Sequence, residues 1–182
     1  STVFTSYNMS DGYDPADIGF SAIPKFERWT INPKLFVYGD DSELSLGISA
    51  VKESRLGGDM QYIAGDRSQA FYFEDSSTLR LSTQLAYSRL YESGNELVLR
   101  NSVSRFRREL LVPEFEFSGT QLSSFSELHL LGTSGSLDWV AGVNLWTEGF
   151  DQDTGTTPMR IDYEQHTIGV FAQGTQFLSE NW

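Results

Sequence analysis

Four residues in the stretch "SRLGGD" could act together: Arg55, Gly57, Gly58 and Asp59. Glycine reaches positive φ and lets two backbones approach closely. Gly57 and Gly58 therefore suit a sharply folded loop, and so does Gly12 in "DGYD". Arg55 and Asp59 could pair with each other or meet a ligand, while loop shaping alone would also account for the motif. Two further stretches concentrate carboxylates: "DGYDPAD" holds Asp11, Asp14 and Asp17, and "DQDTG" holds Asp151 and Asp153 before Gly155. Carboxylates beside glycine can bind Ca²⁺, but neither stretch has the ligand series that ends in a bidentate glutamate. They read as solvated acidic loop tips.

His129 and His166 are the two histidines of the chain. They fall on separate predicted strands without a carboxylate at ligand spacing, and a zinc site needs three or four converging groups. No stretch resembles a nucleophile elbow or a phosphate-cradling glycine loop. The reading is of a protein that is not an enzyme and carries no cofactor and no metal. Binding is the chemistry left. The aromatics of the irregular stretches (Tyr13, Phe20, Tyr62, Phe71, Tyr72 and Phe73) could build an external surface for a small molecule, because binding residues concentrate on loops carried by a rigid scaffold. Tyr13, Arg55, Asp59 and Tyr62 are the ligand-binding candidates. "FYF" (71–73) reads equally as the top of a strand.

The elements that would hold these residues are β-strands. In "ERWTINPKLFVYGDDSELSLGISAVKE" (27–53), Trp29, Ile31, Leu35 and Val37 share one face before the turn at "GDDS", and Leu44, Leu46, Ile48 and Ala50 share one after it. That is a long hairpin by the two-residue period. The same alternation predicts strands near 1–8, 25–38, 43–53, 77–91, 95–108, 117–131, 136–148 and 162–177, with no competing helical period. Faces are legible in most of them, but not at 95–108 or 117–131. Pro33 is a difficulty inside the second strand, since proline is confined to edges, bulges and strand ends.

Short turns are predicted at 38–43, 91–96, 132–136 and 178–182, alternating strictly with longer irregular stretches at 9–24, 54–76, 110–116 and 149–160. Strands of this length exceed the five or six residues of ordinary sheets and suit tilted strands that cross a bilayer. Outer-membrane barrels also alternate short turns with long loops. Tyr38, Tyr91, Trp29, Trp146, Phe150 and Tyr163 near strand ends would then form interfacial girdles; capping the core of a soluble barrel would place them similarly.

Composition sets the outer bounds. The 182 residues are enough for one domain, 1–182. Mean hydropathy is -0.32, and no apolar run approaches the roughly 18 residues of a spanning helix, which leaves barrels open because their faces average out. A net charge of -12 and a pI of about 4.4 argue against nucleic acid, and the basic cluster "RFRREL" (105–110) reads as a solvated strand end. Cysteine is absent, so disulfides and thiolate metal sites are excluded. No signal peptide opens the chain, so any targeting segment is removed or lies upstream. Alternation alone does not say which way the apolar face looks, since a soluble ligand-binding barrel turns it inward.

"NMSDGYDPADIGFSAIPK", a strand, a short turn and a strand running into "ESRLGGDM" resemble, in order and spacing, the barrel region of TonB-dependent outer-membrane receptors. "HTIGVFAQGTQFLSENW" is similar to a later strand of that barrel and its turn. The resemblance covers most of the chain, though each motif is short. It implies a barrel of roughly 22 strands with a plugged lumen, in the outer membrane of a Gram-negative cell, importing a scarce nutrient such as an iron chelate. Its partners would be outer-membrane lipid, the remainder of its own barrel and plug, the TonB energising complex acting through the plug, and a small-molecule ligand. This chain has about eight strands and shows neither plug nor C-terminal barrel end, so it reads as part of a transmembrane β-barrel: an all-β, antiparallel up-and-down meander. Trp182 reads as the first residue of a strand cut short. The alternatives are a soluble eight-stranded barrel for a small apolar ligand, or a small complete outer-membrane barrel.

Overall fold

The two-residue period is obeyed nearly throughout. The computed structural model describes residues 1–68, 72–156 and 160–178. Within them, eight strands form one antiparallel sheet in chain order. They are β1 (Thr2–Ser10), β2 (Lys25–Tyr38), β3 (Ser42–Gly58), β4 (Phe73–Leu90), β5 (Glu96–Val112), β6 (Phe115–Ser134), β7 (Leu137–Gly155) and β8 (Tyr163–Gln176). One helical turn, α1 (Met60–Ile63), lies between β3 and β4. Each strand pairs only with its sequence neighbours, and β1 and β8 have one neighbour each. The sheet is open.

Directly opposed residues send their side chains to the same side of an antiparallel pair. One register row runs Leu35, Leu46, Leu85, Asn101, Ser126, Leu145, Ile168. The next row toward the short turns runs Val37, Leu44, Tyr87, Leu99, Leu128, Val143, Val170. This face is apolar, and it covers the two strands whose faces the sequence left unassigned. The opposite face carries Arg28, Glu53, Gln84, Arg100, Glu127 and His129.

Exposure inverts the usual order. On the apolar face Leu128, Val143 and Ile168 are exposed, whereas on the polar face Val98 and His129 are only 8% and 9% exposed. A sheet curved toward its polar side crowds side chains there and splays them on the convex side, which accounts for both. Among the described residues, Tyr62 and Val98 are the buried hydrophobic side chains. Among the described residues no apolar core forms, and the exposed apolar side chains run as one contiguous face from β2 to β8, unlike the single scattered ones of soluble monomers.

The apolar band also slides through the register. On β2 it runs from Trp29 to Val37, centred near Pro33; on β7 it runs from Leu137 to Leu145, centred near Ala141. Leu35, just below the centre on β2, is level with Leu145, the top of the run on β7. The band has therefore moved about six residues toward the short turns over five strand steps, about 20 Å along the strands against about 24 Å across them. That corresponds to an angle of about 40° between the strands and the normal to the band.

Several expectations change. Connections do not alternate strictly, because 110–116 is a tight hairpin: β5 and β6 pair up to Val112 and Phe115, Pro113 pre-sets the first turn position, and Glu114 takes φ 63°. Proline signalled a loop where it starts a turn. The stretches at 54–76 and 149–160 shrink as well, since β3 and β4 remain paired to Gly58–Phe73 and β7 reaches Gly155 past a bulge opposite Ser118/Gly119. Pro33 is accommodated where the β2–β3 ladder passes over Asn32 and Pro33 between Ile31–Ala50 and Lys34–Gly47, as a residue without an N–H requires. Trp182, Phe71 and most of the turn at 178–182 lie outside the described residues.

The aromatics sort differently from the girdle expectation. Trp29 is on the apolar face, its ring 4.3 Å from that of Tyr7. Trp146, Phe150 and Tyr163 are on the polar face, opposite Phe125, Gln121 and Phe150. Tyr87 and Trp139, which the strand-end argument passed over, stand on the apolar face near the short turns.

Candidate functional site

The sequence candidates gather at the long-connection end, where segments 11–24 and 58–63 dock on each other. Phe20 bridges to Asp59. The Ser21 N–H donates to the Gly58 carbonyl at 2.8 Å, and the Gly58 N–H donates to Ser21 Oγ at 2.9 Å. The Met60 N–H donates to the Gly19 carbonyl, and the Asp59 N–H to the Tyr72 carbonyl, both at 2.9 Å. Within the first segment Tyr13 pairs with Ile23, and the Asp14 carboxylate accepts from the Ala16 and Gly19 N–H groups at 3.2 and 2.7 Å. Such carboxylate-to-backbone bonds are a turn device. No group of three or more acidic or histidine side chains able to hold a metal ion occurs among the described residues.

Of the three glycines, Gly58 carries the conformational demand. Its φ is +105°, and a Cβ there would sit 2.5 Å from the Tyr72 carbonyl oxygen. Gly12 is a close approach, with its position for a Cβ 3.0 Å from Ile63 Cγ2. Gly57 differs from expectation: it is not among the positive-φ glycines, and a Cβ would meet Pro24 at an ordinary 3.4 Å.

Arg55 and Asp59 do not meet. Arg55 Nε donates to Glu53 Oε1 at 2.5 Å, and Glu53 also holds Arg28, giving an Arg–Glu–Arg cluster on the polar face. Asp59 instead caps α1, its carboxylate accepting from the Gln61 N–H at 2.8 Å, the usual role of an aspartate before a helix. Tyr62 is 6% exposed; its ring stacks on Phe73 at 4.1 Å, and the Arg67 guanidinium lies 5.2 Å from its centroid. Tyr13 is 56% exposed and is the candidate whose ring is open to solvent. The four ligand candidates thus share a region without converging on one point.

The β7–β8 connection is held by a second clasp. The Gln152 N–H donates to Asp162 Oδ1 at 2.8 Å, the Ile161 N–H donates to Gln152 Oε1 at 3.0 Å, and Arg160 donates to the Gln152 carbonyl at 2.9 Å. The backbone bond from Gln152, with help from Arg160, holds the Asp162 carboxyl below its ordinary pKa. A depressed carboxylate stabilises the folded loop above the unfolded value of about 3.9 and loses that contribution as pH falls through the lower folded value. Protection of the Gln152 amide, its exchange rate relative to that of an unfolded amide at the same pH, should therefore hold constant from pH 7 to 5 and fall only in strong acid. Asp162→Ala should lower it already at pH 7; equal protection in the two proteins would show that the clasp does not hold the loop.

Sequence reasoning missed an aromatic column on the polar face of β6–β8. The Phe117 and Phe150 rings are 6.1 Å apart, Phe150 and Tyr163 5.9 Å, Phe125 and Trp146 6.2 Å, and His129 and Phe171 6.2 Å. Glycines lie beneath two of these rings: a Cβ on Gly119 would fall 2.4 Å from Phe150 Cζ, and one on Gly142 would fall 2.6 Å from Phe171 Cζ. The signal was present as glycine directly across from, or diagonal to, an aromatic, but it needs the register to be seen.

No protein-family profile matches the sequence, and no curated protein sequence does. Among solved structures, the fold is similar to that of the copper transporter OprC. The TM-score is 0.52 at 8% identity, over 98% of this chain and 38% of that one. At that identity the likeness is one of fold. This chain spans little more than a third of the length of OprC, so an arrangement that fills this whole sheet is only a portion of the transporter.

Proposed function

We propose that this chain is a wall segment of an outer-membrane transporter barrel, with its apolar face against lipid and its polar face toward the lumen. The observation that carries this is the exposed apolar band, sliding through the register at about 40°. Membrane barrels tilt their strands by roughly 35–45° so that an outward apolar band stays level with the bilayer. Trp29 to Val37 spans about 27 Å of strand, or about 20 Å of height at that tilt, near the roughly 25 Å of an outer-membrane band. The open edges of β1 and β8 are where further strands would pair, and the fold likeness to a transporter agrees.

The finer reading follows the loop motifs: a TonB-dependent receptor whose plug fills the lumen, importing a scarce small molecule such as an iron chelate with energy from the TonB complex. The soluble eight-stranded barrel loses support, because it requires the concave face to be apolar and β1 to pair with β8. The small complete barrel lacks the same closure.

Single cysteines at Leu35 and Leu46, coupled to an environment-sensitive fluorophore in cells making the complete protein, test the orientation. Both should report hydrocarbon and be quenched by brominated lipid, while Ser45→Cys should react with a water-soluble thiol reagent. Lipid-insensitive probes at Leu35 and Leu46 would mean that protein covers the band.

A further inference from the structure

Near its middle, the apolar band is interrupted by polar side chains. Asn101 on β5 and Ser126 on β6 oppose each other in the row of Leu85 and Leu145, and Thr83 on β4 lies diagonal to Asn101. The slide of the band puts its centre near Leu99 on β5 and Leu128 on β6, a pair one row below. Asn101 and Ser126 therefore stand two residues above the centre, about 5 Å of height at the tilt of the strands. Lipid tails offer no hydrogen bond at that depth.

The pair spends only part of its bonding capacity. The Asn101 amide donates to Ser126 Oγ at 2.8 Å and to the Phe125 carbonyl at 3.3 Å. An amide also has a carbonyl acceptor, and a hydroxyl has a proton to give. Among the described residues no hydrogen bond runs to Asn101 Oδ1 or from the Ser126 hydroxyl. One unspent acceptor thus sits beside one unspent donor, with Leu99, Val103 and Leu128 exposed around them.

A two-fold axis satisfies both groups at once. In an isologous contact, residue i of one copy meets residue j of the other, and j meets i. With the axis along the bilayer normal between β5 and β6, Asn101 Oδ1 of each copy accepts from the Ser126 hydroxyl of the other. A lipid tail satisfies neither group, and an unrelated protein would have to carry the reversed pair independently. The same axis lays β4 of one copy over β7 of the other. Leu81 on β4 is 41% exposed. At a comparable height on the β7 side, Leu128, Val143, Leu145 and Ile168 line a shallow apolar groove of about 240 Å³. In lipid, where the tails are as apolar as leucine, association rests on such packing and on hydrogen bonds between segments.

We propose that the Asn101–Ser126 pair is the centre of a two-fold contact through which two copies of this chain associate side by side in the membrane. This rests on the reading that the apolar face meets the bilayer. The contact is confined to β4–β7, which leaves Leu35 and Leu46 on β2 and β3 to lipid.

The test is made on the complete protein in its own membrane. Treated with a short bis-maleimide, Val103→Cys beside the axis should give a product of twice the monomer mass. Ile31→Cys, exposed on the same face but three strands away, should not. In detergent, native mass spectrometry should find the wild type as a dimer. Asn101→Leu and Ser126→Ala should each weaken association about ten-fold and still reach the membrane at the wild-type level, since both remove a polar group from the lipid face. A monomeric wild type, equal crosslinking at Ile31→Cys, or undiminished dimers in both variants would overturn the contact. So would a crosslink from Val103→Cys to a polypeptide of another mass. A fluorophore on Leu46→Cys separates the two levels. Quenching by brominated lipid in a monomeric protein rejects the dimer and leaves the membrane face standing; a fluorophore that lipid does not quench rejects both.

Discussion

Gly58→Val is expected to release the docked loops together. At φ +105° a β-branched residue is strained whatever the space around it, and here its Cβ would also press to 2.5 Å from the Tyr72 carbonyl oxygen. Conformational strain of this kind costs about 1–3 kcal/mol before any clash. The strand pairing of β3 and β4 extends over the whole of both strands, so the penalty should not unfold the sheet. It falls on the bonds that Gly58 shares with Ser21, and through Asp59 on the bond to Tyr72. Limited proteolysis should then cut within 59–72 and also within 11–24, although the second segment is unaltered, while the strands remain protected. Wild-type cleavage kinetics at both segments would mean that their interlock does not depend on this glycine.

The second large effect concerns the bilayer. Leu85 lies on the apolar face in the row of Leu35 and Leu46, close to the middle of the band on β4. An arginine at the midplane of a membrane barrel costs about 2–4 kcal/mol, against near zero on the lumen side. Leu85→Arg should therefore reduce the folded protein in outer-membrane fractions severely, whereas Gln84→Arg, one residue away on the polar face, should leave it near the wild-type level. In a water-exposed sheet the ranking would reverse, because covering an apolar patch with charge improves solubility. Comparable levels for the two variants would remove the lipid-facing assignment.

The architecture is largely legible in the sequence, for one physical reason: alternation with period two is visible residue by residue. The hairpin of 27–53 needed nothing else. What the sequence hid was whatever depends on register. The faces of β5 and β6 are ambiguous alone because Asn101 and Ser126 interrupt the apolar run, yet the Asn101 amide donates to Ser126 Oγ at 2.8 Å, joining the two across the ladder. Pro113 was misread because one residue type marks both loop starts and tight turns. The candidate site was half legible. Gly58 and the docked loops follow from residue chemistry, but Arg55 prefers Glu53 on its own strand face to Asp59, a choice set by side-chain direction two residues apart. Trp146, Phe150 and Tyr163 were assigned to the wrong surface, since being near a strand end says nothing about which side a ring occupies.

The strict chain-order pairing of β1 to β8 bears on how such a sheet is made and enlarged. Every described strand finds its partners within the stretch of chain just before and just after it, so each pairing closes one hairpin and contact order stays low for a β-protein of this length. Growth can proceed by zipping one hairpin onto the last. For the same reason, a two-strand unit such as β5–β6, closed by the two-residue turn at Pro113–Glu114, could be duplicated or lost without altering the register of any other pair. The width of the sheet is then a count of hairpins, free to change by whole units over evolutionary time.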